Sequence, residues 1–598
     1  MLNPDVRSLY TSALKPPPNK VFDEAIATAF SLDPAFLLQA PVHLALMAAN
    51  DQQMADPFCH FEAIRRYSDN ITVYVQKGRI QVPAQSHPGA LLSLLEPMIV
   101  EVAVAEGGVF HPKIWAIRFV NPHDPSDVMY RFAILTRNLT TDASWDLSLQ
   151  LEGKLAGRKR KANNALKYLL NQLPKLATRD MMPQRREQAM RFAEELQRVE
   201  WDCPAGFDEL AFYLPGVKGF DWQPPEATRV AVMSPFCSDQ ALRYIVKHCR
   251  DKAALISRPE TLLALKPETR ELFRQNLHLD DAAESIGEQP VFRHEFNAAN
   301  GLHAKAYIFE SGWDCELVLG SANATNAALL RGINSEILVS LKGRKSQVGT
   351  LDTLLCSEGL GRYLVEFDAS QQPETDALRE EAECVAENAR GLLAQSSLRV
   401  RCASGQHENV WALVLTGALP ELPGITHARA WPVTARSDIS GQLPLNSTQQ
   451  EVVLGEFSPP TLTGLIAFEL QTSHPEVSIR FVLNLPIDDV PDERESMILQ
   501  TIISKQEDFM RYLLMLLNAD NILSFATEIG GSESGGFYGT AQNTEQPLLE
   551  ELIRIYSRTP ERLADIAALV NSLRNGKKQL IPEEFLEIWS VFEAAMGE

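Results

Sequence analysis

The sequence predicts an α/β protein built on an internally duplicated unit, followed by a small antiparallel β domain and a helical C-terminal region. Three observations predict this. A strand-leading H-x-K step and a strand-ending hydroxyl-x-Asn step occur twice, with the two histidines 192 residues apart. Around each copy, short β-rich runs alternate with helical stretches, as α/β units do. Near residue 398 the texture changes to short alternating runs broken by Pro, Gly and Ser, and from Asp492 it turns helical.

At 598 residues the chain exceeds what one core organises. The expected units are a first half over 1–205, a second half over 206–370, a connecting helix over 371–397, a β domain over 398–490 and an acidic helical domain over 491–598. In the first half, Pro34–Ala49 reads as helix. Ile71–Gln76, Ile99–Ala105, Ile114–Val120 and Tyr130–Leu135 read as strands, and 154–200 reads as a charged helical segment. In the second half, Leu210–Leu214, Arg229–Met233, Ala253–Ile256, Ala304–Phe309 and Leu317–Leu319 read as strands, with helices over Ser238–Lys252 and Pro267–Asn276. Further on, Val410–Leu415, Leu465–Leu470 and Val477–Leu483 read as strands, and the run GGSESGGFYG at Gly530–Gly539 as a flexible loop.

The first motif copy is HPKIWAIRF from His111, followed by ILTRNLT from Ile134. The second is HAKAYIFE from His303, followed by LGSANAT from Leu319. With 12 His in the chain, one H-x-K triplet is unremarkable; two with matched strand, hydroxyl and Asn context are not. The candidate catalytic residues are therefore His111, Lys113, Asn138, His303, Lys305 and Asn323, with Thr136 and Ser321 as supporting hydroxyls. These residue types suit phosphodiester chemistry. Imidazole is nucleophilic near neutral pH, and a second imidazole opposite it can protonate a leaving alkoxide. Lysines and Asn amides stabilise charge on the non-bridging oxygens. The set calls for no metal and no cofactor, and Cys59-His60 and His248-Cys249 have no partners at metal-ligand spacing.

This pattern resembles the phospholipase D-like (HKD) phosphodiesterase superfamily over roughly residues 25–345. TAFSLDP at Thr28–Pro34, SPF at Ser234–Phe236 and ISRPETL at Ile256–Leu262 look like its nuclease-type members. The resemblance implies two mixed-sheet α/β/α halves related by a pseudo-two-fold axis. It also implies a phosphohistidine on His111 and His303 as general acid. Asn334 and Glu336, in NSEI, match a supporting Asn-x-Glu; Asp146 and Ser148 are read as their first-half counterparts. The usual motif Asp is replaced by Arg118 and Glu310, as it is lost in tyrosyl-DNA-phosphodiesterase-like members. Trp145 reads as a core residue rather than a base-stacking one.

The formal net charge is −21, but it is segregated. Residues 1–350 hold 39 Lys+Arg against 40 Asp+Glu, and residues 351–598 hold 17 against 37. The run Arg158, Lys159, Arg160 and Lys161 is the candidate nucleic-acid contact; its other reading is a solvated helix face. No apolar run approaches the roughly 20 residues of a membrane span, the start has no signal-peptide pattern, and eight scattered Cys suit a reducing cytoplasm. The expected substrate is nucleic acid, DNA foremost. The resemblance implies a place in a bacterial defence or DNA-modification system beside a helicase or other ATPase, since the chain shows no GxxxxGK[ST]. A soluble lipid or small-phosphodiester hydrolase and a non-catalytic phosphate-backbone-binding subunit are the alternatives. The oligomeric state stays open.

Overall fold

The computed structural model describes residues 2, 13–45, 57–83, 89–105, 107–141, 144–280, 301–370, 376–407, 409–446, 450–517, 548–574 and 580–596. The run Gly530–Gly539, read as a loop, lies outside them. Among the described residues the first half contains β1 (Val21–Ala29), β2 (Ile71–Gln76), β3 (Ile99–Val102), β4 (Ile114–Asn121), β5 (Asp124–Leu135), β6 (Ser144–Trp145), β7 (Ser148–Leu155) and β8 (Val199–Trp201). All but β6 form one mixed sheet in the order β3-β2-β1-β4-β5-β7-β8. The second half contains β9 (Phe207–Tyr213), β10 (Ala227–Met233), β11 (Cys249–Ile256), β12 (Gln275–Leu279), β13 (Gly301–Leu302), β14 (Ala306–Ser311), β15 (Asp314–Gly320), β16 (Leu338–Arg344) and β17 (Leu364–Glu366). Its sheet order is β17-β12-β11-β10-β14-β15-β16-β9.

The duplication shows in five matched strands of each sheet. In each half three strands run parallel, β1-β2-β3 and β10-β11-β12. An antiparallel hairpin follows on the other side of the central strand, β4-β5 and β14-β15. These strands are apolar on both faces because both faces are covered. In β4, Ile114 and Ala116 enter the core between the halves while Trp115, Ile117 and Phe119 enter the outer core. In β14, Ala306 and Ile308 enter that same inter-half core, and Tyr307 and Phe309 the second half's outer core. The period of two thus divides each strand between two cores.

Several expected elements are corrected. Residues 154–200 are not one helix: β7 runs to Leu155, and helices Asn164–Leu176 and Pro183–Leu196 follow, separated by a turn. The helix expected over Ser238–Lys252 ends at Val246, where Cys249 begins β11. The helix expected over Pro267–Asn276 ends at Arg270, and Gln275 begins β12. At Cys249 and Gln275 pairing into the sheet overrides local helix propensity.

Helix Ala377–Gln395 leads into two four-stranded sheets between Arg399 and Asp488. The helical region from Arg494 is no detached appendage. Phe58 stacks on Tyr512 with centroids 5.7 Å apart, Tyr512 Oη donates to Glu62 at 2.8 Å, and Arg65 pairs with Asp565 at 3.1 Å. Phe61, Tyr512, Trp589 and Ala27 share one core. The C-terminal helices thus cover apolar surface of the first half. No described helix is long and apolar enough to cross a membrane.

Candidate active site

Each hairpin opens at the same edge of its sheet, and this gathers the motif. Ile114 pairs with Ile134, so His111 and Lys113 enter β4 where Thr136 and Asn138 leave β5. Leu135 N donates to Lys113 O at 2.9 Å across that mouth. In the second half Ala306 pairs with Leu319, placing His303 and Lys305 beside Ser321 and Asn323. The H-x-K and hydroxyl-x-Asn steps are thus the two lips of one hairpin, whatever the hairpin's length. Thr28, from TAFSLDP, fixes the first lip: its hydroxyl donates to Pro112 O at 2.8 Å and accepts from Ile114 N at 3.2 Å.

The two mouths interlock. His111 N donates to Ser335 O at 3.0 Å, and His303 N donates to Trp145 O at 2.8 Å. β13 pairs in parallel with β6, and Phe110 bridges Ser335. Gly108 permits this approach, since a Cβ there would lie 1.9 Å from Ile333 O. Each imidazole is then oriented by the opposite half. His111 Nδ1 bonds Glu336 Oε2 at 2.9 Å, and His303 Nδ1 bonds Thr136 O at 2.8 Å. As Nδ1–H donors, both rings leave Nε2 for chemistry.

Around Glu336, Asn334 Nδ2 donates to Oε1 at 3.2 Å and the Ser321 hydroxyl donates to Oε2. Asn334 Oδ1 also accepts from Val109 N at 3.3 Å, so it ties the carboxylate to the strand leading to His111. Lys113 Nζ donates to His111 O at 3.1 Å; Lys305 Nζ donates to His303 O at 2.7 Å and to Thr136 O at 3.2 Å. Asn138 and Asn323 each carry a buried Oδ1 without a hydrogen-bond partner. That shortfall at two matched positions is unusual for buried polar atoms. Phe30 meets the His111 ring edge-on at 5.5 Å.

Burial governs the electrostatics. It pulls His111 below its ordinary pKa, with Lys113 and Lys305 adding to the effect and Glu336 opposing it. Burial, then Lys305 and Lys113, hold His303 well below the ordinary range. Lys113 is 0% exposed, and burial brings its pKa down to about 7, against the pull of Glu336. Burial and the neighbouring Lys113 put Lys305 well below the ordinary lysine range. Burial pushes the Glu336 carboxyl up, but His111, Lys113 and the Ser321 hydroxyl outweigh it and hold it below its usual range. The result is four crowded basic groups around one carboxylate. A bound anion relieves such a cluster and raises all four pKa values.

The structure corrects the matching of the supporting residues. Ser321 N donates to Ile337 O at 2.9 Å and Ser321 Oγ accepts from Ile337 N at 3.0 Å; Thr136 N donates to Leu147 O at 2.9 Å and Thr136 Oγ1 accepts from Leu147 N at 2.7 Å. Glu336 therefore matches Asp146, and Asn334 matches Ser144; Ser148 is two residues out of register. Asp146 is a methylene shorter than Glu336 and lies 4.0 Å from Arg137. Sequence reasoning missed the Thr136 carbonyl as the partner of His303, because no side-chain pattern marks a backbone acceptor.

Arg118 and Glu310 sit away from the hairpin mouths. Arg118 pairs with Asp23 and, at 3.0 Å, with Glu195; Glu310 accepts from Leu351 N at 2.7 Å and from Arg229 at 3.4 Å. In register, Glu24 opposes Arg118 and Arg229 opposes Glu310 with the charges reversed, but Arg229 pairs with Glu310 while Arg118 pairs with Asp23 and Glu195 and Glu24 with Arg191. Arg158–Arg160 lie in a surface loop that leads into a short 3-10 helix at Lys161, not on an α-helix face: Lys159 lies 3.8 Å from Glu194 and Arg160 lies 2.7 Å from Glu200. Trp145 is half-buried against Tyr363, with ring centroids 5.1 Å apart. Among the described residues no group of three or more His, Cys, Asp or Glu is placed to share a metal ion.

No family model and no curated protein matches the sequence. Among solved structures the chain is similar to yeast tyrosyl-DNA phosphodiesterase, at 13% identity and a TM-score of 0.34, over 60% of this chain and 93% of that one. It is also similar to a phosphatidylserine synthase from Haemophilus influenzae Rd KW20, at 11% identity and a TM-score of 0.30, over 64% of this chain and 91% of that one.

Proposed function

We propose that this chain is a phosphodiesterase that cleaves nucleic acid, DNA foremost, through a phosphohistidine intermediate. One observation carries the reading: two imidazoles, each pinned at Nδ1 by the opposite half, lie in one electrostatic neighbourhood with two buried lysines, at hairpin mouths that also carry Asn138 and Asn323. His111 Nε2 attacks phosphorus. The Glu336 carboxylate behind it stabilises the positive charge that the ring acquires on bonding to phosphorus. The bond from phosphorus to the leaving oxygen breaks, and His303 Nε2–H protonates that oxygen. His303 is neutral in the crowded free site; the phosphodiester anion offsets the lysine charge and lets the ring take up the proton it donates. Lys113, Lys305, Asn138 and Asn323 hold the non-bridging oxygens. In the second step His303, now neutral, removes a proton from water. The hydroxide attacks phosphorus, and the bond to His111 breaks.

The surface run Arg158–Lys161 is the proposed backbone contact, with Lys159 and Arg160 partly offset by their acidic neighbours. The proposal includes an ATPase partner on a separate chain for any work on duplex DNA. The test is incubation of the full chain with single-stranded DNA, duplex DNA, RNA and a phospholipid in EDTA. Cleavage of nucleic acid that His111→Ala abolishes is expected. Phospholipid turnover alone, or DNA binding without turnover of any substrate, would replace this reading with a lipid hydrolase or a backbone-binding subunit.

A further inference from the structure

Phe236 is 47% exposed, yet its loop is tied down. Ser234 Oγ donates to Phe236 O at 2.7 Å, Ser257 Oγ to Ser234 O at 2.7 Å and Thr261 Oγ1 to Pro235 O at 2.8 Å. Ser238 N donates to Ala324 O at 2.9 Å. A rigid backbone thus holds an aromatic ring in water. A lone exposed apolar side chain is ordinary, but this one has a particular place. Its neighbour Cys237 bridges Ala324, the residue after Asn323. Arg258 lies over the ring with Cζ 5.2 Å from the centroid, and its Nε donates to Leu302 O at 2.9 Å, one residue before His303. The ring is therefore backed by a cation, and its loop and its cation are anchored beside both second-half motif steps.

The first half differs at this position. Leu32 bridges Leu139 as Cys237 bridges Ala324, so Ser31 holds the position of Phe236. Phe30, one residue earlier, is half-buried: Arg79 Cζ lies 4.7 Å from its centroid and its ring meets His111 edge-on. The pseudo-symmetric cleft is therefore asymmetric in exposure: Phe30 packs on a motif histidine, whereas Phe236, on the His303 side, stands 47% exposed.

We propose that Phe236 is the stacking platform for the nucleobase on the His303 side of the scissile phosphate, so that the site takes an unpaired strand. This rests on the nucleic-acid reading above and names its substrate class. A base inside a duplex is already stacked on its neighbours and reaches a protein ring only after leaving the helix. An unpaired base stacks freely, whatever its identity, and a cation behind the ring strengthens the contact.

The experiment uses the full chain. Single-stranded oligonucleotides carrying fluorescent 2-aminopurine on one or the other side of a single cleavable phosphate are titrated into His111→Ala, and wild-type kinetics are measured on matched strands made abasic at the same positions. Quenching is expected for one of the two positions, lost in His111→Ala/Phe236→Ala and restored by Phe236→Trp. Phe236→Ala should raise KM about tenfold on the intact strand and leave KM unchanged on the strand already abasic there. Quenching without wild-type cleavage would sustain the platform while removing the nuclease reading. Cleavage of strands without any quenching would sustain the nuclease reading and overturn the platform. Quenching that survives Phe236→Ala, or an equal loss on intact and abasic strands, would overturn it as well.

Discussion

Glu336→Gln is the most informative single change in the site. Glutamine keeps the shape of the side chain and an oxygen that accepts from His111 Nδ1, now at 2.9 Å. What it removes is the negative charge behind the attacking ring. In the wild type that charge is held in place by the Ser321 hydroxyl and by Asn334 at 3.2 Å, and Glu336 is 2% exposed, so solvent screens it little. A buried hydrogen bond to a charged group contributes about 1.5–3 kcal/mol. If that contribution appears only when the ring becomes positive, kcat falls about 10- to 150-fold. The pH profile separates this from a packing defect. The attacking imidazole must lose its proton, so the acid limb of kcat/KM follows the free His111 pKa. Burial already holds that pKa below its ordinary value while Glu336 pulls it up. Removing the carboxylate charge leaves burial and the lysines unopposed, and the acid limb moves to lower pH as the plateau drops. A variant that loses activity with an unmoved acid limb, or whose limb moves to higher pH, would refute the electrostatic role. Steady-state kinetics from pH 4 to 9, with circular dichroism to check the fold, decide it.

Lys113 titrates near 7 in the folded chain and near its ordinary value of about 10.4 when unfolded. Between those values the unfolded chain holds more protons, so its contribution makes stability rise with pH from about 7 to about 10. Lys113→Met should flatten that slope, raise Tm at pH 7 by a few degrees and reduce cleavage at least about 100-fold, since replacing a buried cation with an apolar isostere often stabilises; a less stable variant at pH 7 in calorimetry would contradict this. Glu310→Gln should cost about 1–3 kcal/mol in denaturant unfolding and leave turnover within about twofold, because its contacts are Leu351 N and Arg229; a selective loss of turnover would return this position to the chemistry. Replacing Arg158–Lys161 with Ser should make the salt dependence of DNA binding shallower by about one to two logarithmic units per decade of salt rather than by the full four charges, since Lys159 and Arg160 already face Glu194 and Glu200; an unchanged slope would make the run a plain solvated loop.

The site was legible where the chemistry lies in side chains at fixed spacing. His111, Lys113 and Asn138 reach one hairpin mouth because β4 and β5 pair, and the short β-rich runs beside the motif steps announced the two strands. The second copy repeats the signal in β14 and β15. What escaped is carried by backbone and register. The Thr136 and Trp145 carbonyls that hold His303 have no side-chain signature. Asp146 was misplaced by two residues because a short irregular turn precedes β7, and local pattern cannot count residues through it. Helix propensity misled where sheet pairing decided, as at Cys249 and Gln275. The charge count set the acidic C-terminal region apart, but it could not show that Phe61, Tyr512 and Trp589 share one core, since net charge does not report packing.

A covalent bond between His111 and phosphorus is the step on which the proposed cleavage turns. Full-length protein mixed with a single-stranded oligonucleotide bearing a good leaving group, in EDTA, is quenched with alkali to preserve acid-labile phosphoramidates and digested for mass spectrometry. A phosphoryl-linked nucleotide on the peptide containing His111 is expected in the wild type. It should be more abundant in His303→Ala, which slows hydrolysis of the intermediate, and absent from His111→Ala. Turnover by His111→Ala at the wild-type rate, or an adduct on any residue other than His111, would contradict it.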